Sequence, residues 1–160
     1  MKTTADEQGK LTRTVAPTVG NDSFEVVDLG PFENNRNNLQ AINDCGQAAG
    51  VSLNLSTGRI EAFRQQRGER IALGTLGGSF SIARDINNCG EIVGASLTEG
   101  DENFHGFIYR GDRLRDLNDF LNPETGWELI QAVAINNHGE IVAIGSHKGE
   151  DRIVLLRPKS

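Results

Sequence analysis

The sequence predicts an all-β, propeller-like protein with three four-stranded repeat units per chain. The first observation is an internal repeat: residues 41–47 (AINDCGQ) return as residues 85–91 (DINNCGE) and 134–140 (AINNHGE). The second is the repeat length, because 44 and 49 residues separate the repeated asparagines, a period typical of propeller blades and solenoid units. The third is composition: 19 glycines against 4 prolines, with short Val and Ile runs, favour short strands and tight turns.

The chain divides into a lead-in and a repeat domain. Residues 1–22 are polar, have no apolar periodicity and contain Gly9, Pro17 and Gly20, so we expect a flexible lead-in. Residues 23–158 form the predicted repeat domain. Its three units share one order of elements and span about 24–67, 68–111 and 112–158.

Each unit begins with two strands that lead into the repeated turn. The first strand carries a leucine that recurs every 44 residues, and it is predicted at 25–30, 70–74 and 114–118. The second is predicted at 39–43, 82–87 and 132–136. An Asn-x-x-Gly turn follows each second strand, and its glycine supplies the positive φ that a hairpin turn needs.

Two further strands complete each unit. The third strand leaves the Asn-x-x-Gly turn and is predicted at 47–52, 91–96 and 140–144. The fourth is predicted at 61–64, 105–109 and 152–156. Every unit is therefore expected to supply two antiparallel hairpin strands around one recurring turn.

The lengths of the connections indicate which strands share a sheet. Short turns at 66–69 and 110–112 join a fourth strand to the next unit's first strand, so these strands are predicted neighbours. The longer segments 31–38, 75–81 and 119–131 are predicted to cross between sheets. The resulting blades are 39–76, 82–120 and 132–156. The last blade lacks its outer strand, and the strand left over at the start of the chain is 24–30.

Closure of such a ring needs more than three blades. About four is the usual minimum for a propeller, so we expect a homodimer with six blades and twofold symmetry. Each chain's strand 24–30 would complete the last blade of the other chain and cover an exposed sheet edge. A compact threefold unit and an open stack of sheets are the alternatives.

Several motifs resemble the HAF repeat, a motif of bacterial repeat proteins described as extracellular. They are His105-Gly106-Phe107, the segment 86–94 (INNCGEIVG) and Asp28-Leu29-Gly30. The resemblance covers about residues 24–156. It implies a propeller-like all-β arrangement and no particular chemistry, and units 1 and 3 lack the histidine of the motif.

Charge and hydropathy restrict the partners and the compartment. The 22 acidic and 16 basic residues give a net charge of −6, which disfavours a nucleic-acid partner through repulsion by phosphates. No apolar run reaches the roughly 18 residues of a membrane helix, so no membrane partner is expected. The printed start has no signal-peptide core, so we expect a cytoplasmic protein as given, or a secreted one if a leader was removed. No cofactor is expected.

One repeated turn position raises the question of a metal site. Cys45, Cys89 and His138 occupy equivalent places in the three turns, and these residue types bind zinc or iron. In a six-bladed ring the three positions would lie too far apart for a single metal, and C-x-x-C spacing is absent. We therefore expect exposed turn residues and reduced thiols, with a disulfide between the two cysteines as the alternative.

Departures from the repeat indicate where function lies. The predicted crossover loops carry amide, guanidinium and aromatic groups that suit polar ligands. We predict a binding or interaction module for a polar small molecule, glycan or peptide, which contacts Arg36, Asn37, Asn38, Phe80, Asp101, His105 and Trp127. One alternative is an enzyme at the ring centre or dimer interface that uses His105 or His138 with carboxylates as acid and base. Another is a structural assembly subunit.

Overall fold

The computed structural model describes residues 4–5, 11–12, 24–29 and 37–159. Strands dominate these residues, and helical structure among them is limited to short 3₁₀ turns, which confirms the all-β prediction. None of those helical turns is long or apolar enough to cross a lipid bilayer. The described part of the predicted lead-in consists of β1 (Thr4–Ala5) and β2 (Leu11–Thr12), which pair with each other. The rest of that prediction lies outside the described residues.

The repeats fold into three antiparallel groups of consecutive strands. Strand group 1 contains β3 (Asn37–Ile42), β4 (Ala48–Asn54), β5 (Arg59–Gln66) and β6 (Glu69–Gly74). Strand group 2 contains β7 (Gly77–Ile86), β8 (Ile92–Thr98), β9 (Phe104–Arg110) and β10 (Arg113–Asp116). Strand group 3 contains β11 (Trp127–Ile135), β12 (Ile141–His147) and β13 (Glu150–Leu156).

The groups connect as the turn lengths predict. A fourth strand pairs with the following first strand, β5 with β6 and β9 with β10. One parallel pairing, Ile60 with Phe80, joins groups 1 and 2 into an eight-stranded sheet of order β10-β9-β8-β7-β5-β4-β3, with β6 on β5. Group 3 is a separate sheet of order β11-β12-β13.

The crossover segments are shorter than predicted. β7 begins at Gly77 and β11 at Trp127, five residues before the predicted starts at 82 and 132. Both strands extend because β8 and β12 continue to Thr98 and His147 and offer partners for their backbone groups. Short 3₁₀ helices at Leu117–Phe120 and Pro123–Thr125 lie between β10 and β11, and another, at Glu99–Asp101, lies between β8 and β9.

The predicted first strand of the chain is not a strand in this structure. Residues 24–29 form no ladder with any described residue, and their side chains are exposed. The Leu29 carbonyl accepts a hydrogen bond from Gln65 Nε2 at 3.0 Å, which holds the segment beside group 1. The strand prediction for this segment is wrong for the single chain, because a strand requires a ladder of backbone hydrogen bonds with a neighbouring strand and the described residues provide none here.

Two apolar clusters hold the strand groups together. The first joins groups 1 and 2 around Phe107 and Ile92, and the second joins groups 2 and 3 around Leu129 and Val93. Equivalent positions of the repeat recur in both clusters. The recurring pairs are Ala49 and Val93, Leu73 and Leu117, Ala83 and Ala132, Ile86 and Ile135, and Ile92 and Ile141.

A bulge in the first strand of each group interrupts its ladder with the next strand. The ladder skips Gln40 in β3, Arg84 in β7 and Val133 in β11. Opposite the first two bulges lie Gly50 and Gly94. A Cβ on Gly94 would stand 1.9 Å from the Ile82 carbonyl oxygen, so this close approach requires glycine.

Candidate functional site

The repeated asparagine builds each turn through its own side chain. In the first turn, Asn43 Oδ1 accepts hydrogen bonds from the backbone of Cys45 at 3.1 Å and of Gln47 at 3.0 Å. Asn43 Nδ2 donates to the side chain of Gln47 at 2.8 Å. Asn87 and Asn136 make the same bonds with Glu91 and Glu140, so the Asn-x-x-Gly pattern specifies the turn chemically.

The three turns also bond to one another in sequence. Asn43 Nδ2 donates to the Asn87 carbonyl at 2.9 Å, and Asn87 Nδ2 donates to the Asn136 carbonyl at 3.1 Å. The residue after each asparagine adds a second link between successive turns. The backbone N–H of Asp44 donates to Asn88 Oδ1, and that of Asn88 donates to Asn137 Oδ1. We call this series of bonds the asparagine ladder. It links the turns of groups 1, 2 and 3 in chain order.

The ladder also explains why the Cys/Cys/His set does not converge. Cys45, Cys89 and His138 are all exposed, and both cysteines are free thiols. The described part of the chain contains no group of three His, Cys, Asp or Glu side chains that could hold a metal ion. Amide groups of the asparagines link the turns, while the residue after each Asn-x pair points into solvent.

His105 lies at the centre of a polar cluster between groups 2 and 3. Its Nδ1 is 2.5 Å from Asp116 Oδ2 and its Nε2 is 3.3 Å from Glu128 Oε1. The side chains of His105 and Asp116 are 20% and 18% exposed, whereas that of Glu128 is 53% exposed. We call these three residues the histidine cluster. One end is enclosed and the other opens to solvent.

Asn118 fixes the enclosed end of the histidine cluster. Asp116 caps the 3₁₀ helix that follows β10, and its Oδ1 accepts from the backbone and the side chain of Asn118 at 2.8 and 2.9 Å. Asn118 in turn bonds to both backbone groups of Leu129, at 3.0 and 2.7 Å. The amide thereby joins the end of β10 to β11, which positions Asp116 and Glu128 on either side of the imidazole.

The arrangement has a defined proton chemistry. A neutral imidazole has one N–H, so His105 can donate to both carboxylates only when the ring carries a proton on each nitrogen. In the neutral ring, one of the two contacts must instead involve a protonated carboxylic acid. The histidine cluster can therefore bind a cation or hydrogen-bond donors at Glu128.

Asp101 and Phe80 belong to a different cluster. Asp101 accepts hydrogen bonds from the backbone of Ser79 at 2.6 Å and from its hydroxyl at 2.7 Å. Phe80 packs edge to face against Phe104, with ring centroids 6.0 Å apart. These contacts fasten the β8–β9 loop to the start of β7.

Trp127 stacks on His147, which is not part of the histidine cluster. Its indole lies parallel to the His147 ring with centroids 4.6 Å apart, and His147 Nε2 bonds to the Thr125 carbonyl at 3.1 Å. Trp127 and Phe80 are strand residues rather than loop residues as predicted. Within the described residues, no hydrogen bond, ion pair or ring contact joins either one to the histidine cluster.

The remaining predicted residues are placed as follows. Arg36 lies outside the described residues, Asn37 is described only as part of the β3 backbone, and Asn38 pairs with Val51 in the β3–β4 ladder. His138 donates its backbone N–H to Asn136 Oδ1 within the third turn. Of the predicted set, the structure places only His105 in a compact polar cluster with acids.

Asp116, Glu128 and Asn118 were not predicted as site residues from the sequence. They stand 11, 23 and 13 residues from His105, and no motif has those spacings. A weak signal existed in the repeat itself, since group 1 has Glu61 and Ala72 where group 2 has His105 and Asp116. Group 2 therefore differs from group 1 at both positions.

Asp101 supplies a pH prediction. The Ser79 backbone N–H, and then the Ser79 hydroxyl, hold the pKa of Asp101 below the ordinary aspartate value; slight desolvation by neighbouring groups opposes this effect and Arg59 adds to it. Because the folded pKa is the lower one, the stabilisation of the loop is complete above the unfolded pKa. It is lost as the pH falls through the folded pKa.

Carbon-detected NMR titration of the Asp101 carboxyl checks this. We expect a midpoint below that of aspartate in a short peptide. Ser79→Ala should raise the midpoint while leaving it below the peptide value, because the backbone donor remains. A midpoint in the Ser79→Ala variant equal to that of the unchanged chain would contradict the assignment.

Comparison with known proteins yields no relative: no family model, curated protein or solved structure matches this chain. The HAF-repeat resemblance therefore stays a prediction.

Proposed function

We propose that this chain is a propeller-type binding module that recognises a polar small molecule, glycan or peptide. The observation that supports it best is the histidine cluster, in which Glu128 presents a half-exposed carboxylate that His105 orients at 3.3 Å. An oriented carboxylate binds hydroxyl and ammonium donors with charge-assisted hydrogen bonds. The resemblance to HAF repeats and the three antiparallel strand groups support the propeller-like arrangement.

Charge narrows the class of ligand. Two carboxylates surround one imidazole, and the chain as a whole carries a net charge of −6. Anionic ligands are therefore disfavoured, whereas glycans, amino sugars and peptides with Lys or Arg offer the donors that fit. We assign the binding site to the surface at Glu128, with His105 and Asp116 as positioning residues.

Immobilised glycan and peptide arrays test this proposal. We expect the unchanged protein to retain neutral or cationic ligands, and Glu128→Gln to weaken them by about 2 kcal/mol, or about thirtyfold in Kd. Glu124→Gln is the matched control, because Glu124 is exposed in the neighbouring 3₁₀ helix outside the histidine cluster. Equal binding by all three proteins would refute the assignment of the site.

An acid–base enzyme is the second candidate, because His105 is held between two carboxylates. A positioned imidazole with a carboxylate at 2.5 Å is an arrangement used for proton transfer. If Glu128→Gln retains the ligand but an array glycan or peptide is no longer cleaved, the enzymatic function replaces the binding function. A structural assembly subunit remains if no array ligand is retained by any variant.

A further inference from the structure

We propose that two copies of this chain form a dimer by exchanging residues 24–29. In each copy this segment pairs with β13 of the other copy and becomes its outer strand. The proposal is independent of the histidine cluster and of any ligand. It rests on a comparison of two exposed faces, one on group 1 and one on group 3, with the buried interfaces between groups 1 and 2 and between groups 2 and 3.

The leading face of group 1 exposes residues that are buried elsewhere in the repeat. Ile42 is 70% exposed, whereas its equivalents Ile86 and Ile135 are 4% and 7% exposed. Leu39 is likewise exposed, although both of its equivalents are fully buried alanines. Group 1 therefore presents the surface that groups 2 and 3 use to pack on the group before them.

The trailing face of group 3 shows the complementary pattern. Ile153 is 82% exposed, whereas the equivalent positions in β5 and β9, Ala62 and Gly106, are buried. Val142 is also exposed, although its equivalent Val93 is fully buried against group 3. The two exposed faces are thus the two halves of one repeated interface.

The asparagine ladder has matching ends. Asn136 makes the bonds inside its turn, but within the described residues its amide makes no onward bond of the kind that Asn43 and Asn87 make. At the other end, the Asn43 carbonyl receives no amide from a preceding turn in the described chain. A second copy would supply that donor from its own Asn136, which continues the ladder without a break.

The edge of β13 supplies the place for a strand. β5 and β9 each carry an outer partner, β6 and β10, whereas β13 pairs only with β12 among the described strands. An uncovered edge of this length readily pairs with another chain. Residues 24–29 are the repeat equivalent of β6 and β10, as the 44-residue spacing of Leu29, Leu73 and Leu117 shows.

The β5–β6 and β9–β10 hairpins have the same register, and the same register can be applied to a strand that pairs with β13. Leu114 pairs with Tyr109 in group 2, and its equivalent Arg70 pairs with Gln65 in group 1. Tyr109 pairs with Ile92 of β8, and Leu156 pairs with the equivalent Ile141 of β12. Leu156 is therefore the equivalent of Tyr109 in group 3. The incoming strand would then pair as follows: Glu25 with Arg157, Val26 with Leu156, and Val27 with Leu155.

This register satisfies the side chains. Val26, now 91% exposed, would pack against the second apolar cluster as Leu114 packs against the first. A groove of about 540 Å³ lies there between groups 2 and 3, lined by Leu117, Leu121 and Leu156 among others. Glu25 would lie opposite Arg157, a favourable cross-strand pair. Leu29 would occupy the position at which Leu73 and Leu117 are buried.

A second copy fits better than closure within one chain. The segment 24–29 lies beside Gln65 of group 1 and leads into β3, so it belongs to the strand group that precedes group 1. No described strand of the single chain occupies that place, and Ile42 and Ile153 remain exposed. Two chains related by a twofold axis supply six strand groups, within the usual range of about four to eight blades.

Disulfide trapping tests the exchange and its register together. In a Cys45→Ser, Cys89→Ser background, the pair Val27→Cys and Leu155→Cys is expected to link two chains on oxidation, giving twice the chain mass in non-reducing denaturing electrophoresis. The control pair Val27→Cys and Ile153→Cys is offset by two residues on the same face. Its diagonal spacing of about 7–8 Å is beyond the reach of a disulfide, so little cross-linking is expected.

Light scattering of the unchanged protein gives a readout that needs no variant. A mass of two chains together with the interchain cross-link supports the proposal. A mass of one chain, a mass of three or more chains, a disulfide within one chain, or equal cross-linking in the offset pair would each overturn it.

Discussion

Asn87→Ala is expected to lower the free energy of unfolding by about 4 kcal/mol, because one buried side chain makes four hydrogen bonds worth about 1 kcal/mol each. Asn87 accepts from two backbone N–H groups of its own turn and donates to Glu91 and to the Asn136 carbonyl. The residue is 3% exposed, so water cannot replace these partners. Urea unfolding followed through the fluorescence of the single tryptophan, Trp127, measures the loss.

Asn136→Ala is the matched control for this prediction. Asn136 makes the same bonds within its turn but is exposed and sends no onward bond to another described turn. Water can therefore replace much of what is lost, and we expect a loss of about 1 kcal/mol. Equal losses in the two variants would show that the bond between turns contributes nothing to stability.

Gly94→Ala is expected to cost about 3 kcal/mol, at the upper end of the range for overpacking. The added methyl group would stand 1.9 Å from the Ile82 carbonyl oxygen and 2.9 Å from Phe107 Cε1. The carbonyl is fixed by the bulge at Arg84, so it cannot move aside without breaking the β7–β8 ladder. Group 3 carries Ala143 at the equivalent position, with the smaller Val154 in place of Phe107.

Gly145→Ala provides the control in β12. A Cβ there would meet the Glu128 carbonyl at 3.1 Å and Leu129 Cδ2 at 3.2 Å, contacts that a shift of a few tenths of an ångström relieves. We expect a loss below about 1 kcal/mol in the same urea experiment. A loss from Gly94→Ala no larger than this would mean that the backbone at the bulge adapts freely.

The histidine cluster shows where prediction of the site ended. His105 was predicted as a site residue because it belongs to the HAF-like motif, but its partners Asp116 and Glu128 belong to two different strand groups. Their positions depend on Asn118, which joins β10 to β11. Side chains brought together in this way leave no local pattern, so periodicity and spacing could not have found them.

What the sequence determined by itself is the repeat, the β-strands within it and the chemistry of the Asn-x-x-Gly turn, because each depends on residues within a few positions of one another. Even the pairing of β5 with β6 and of β9 with β10 followed from turn length. Tertiary structure alone decided the starts of β7 and β11, the asparagine ladder and the loss of the first predicted strand. In each case the outcome depends on whether a backbone or amide group bonds to a group distant in sequence, and only the folded arrangement determines that.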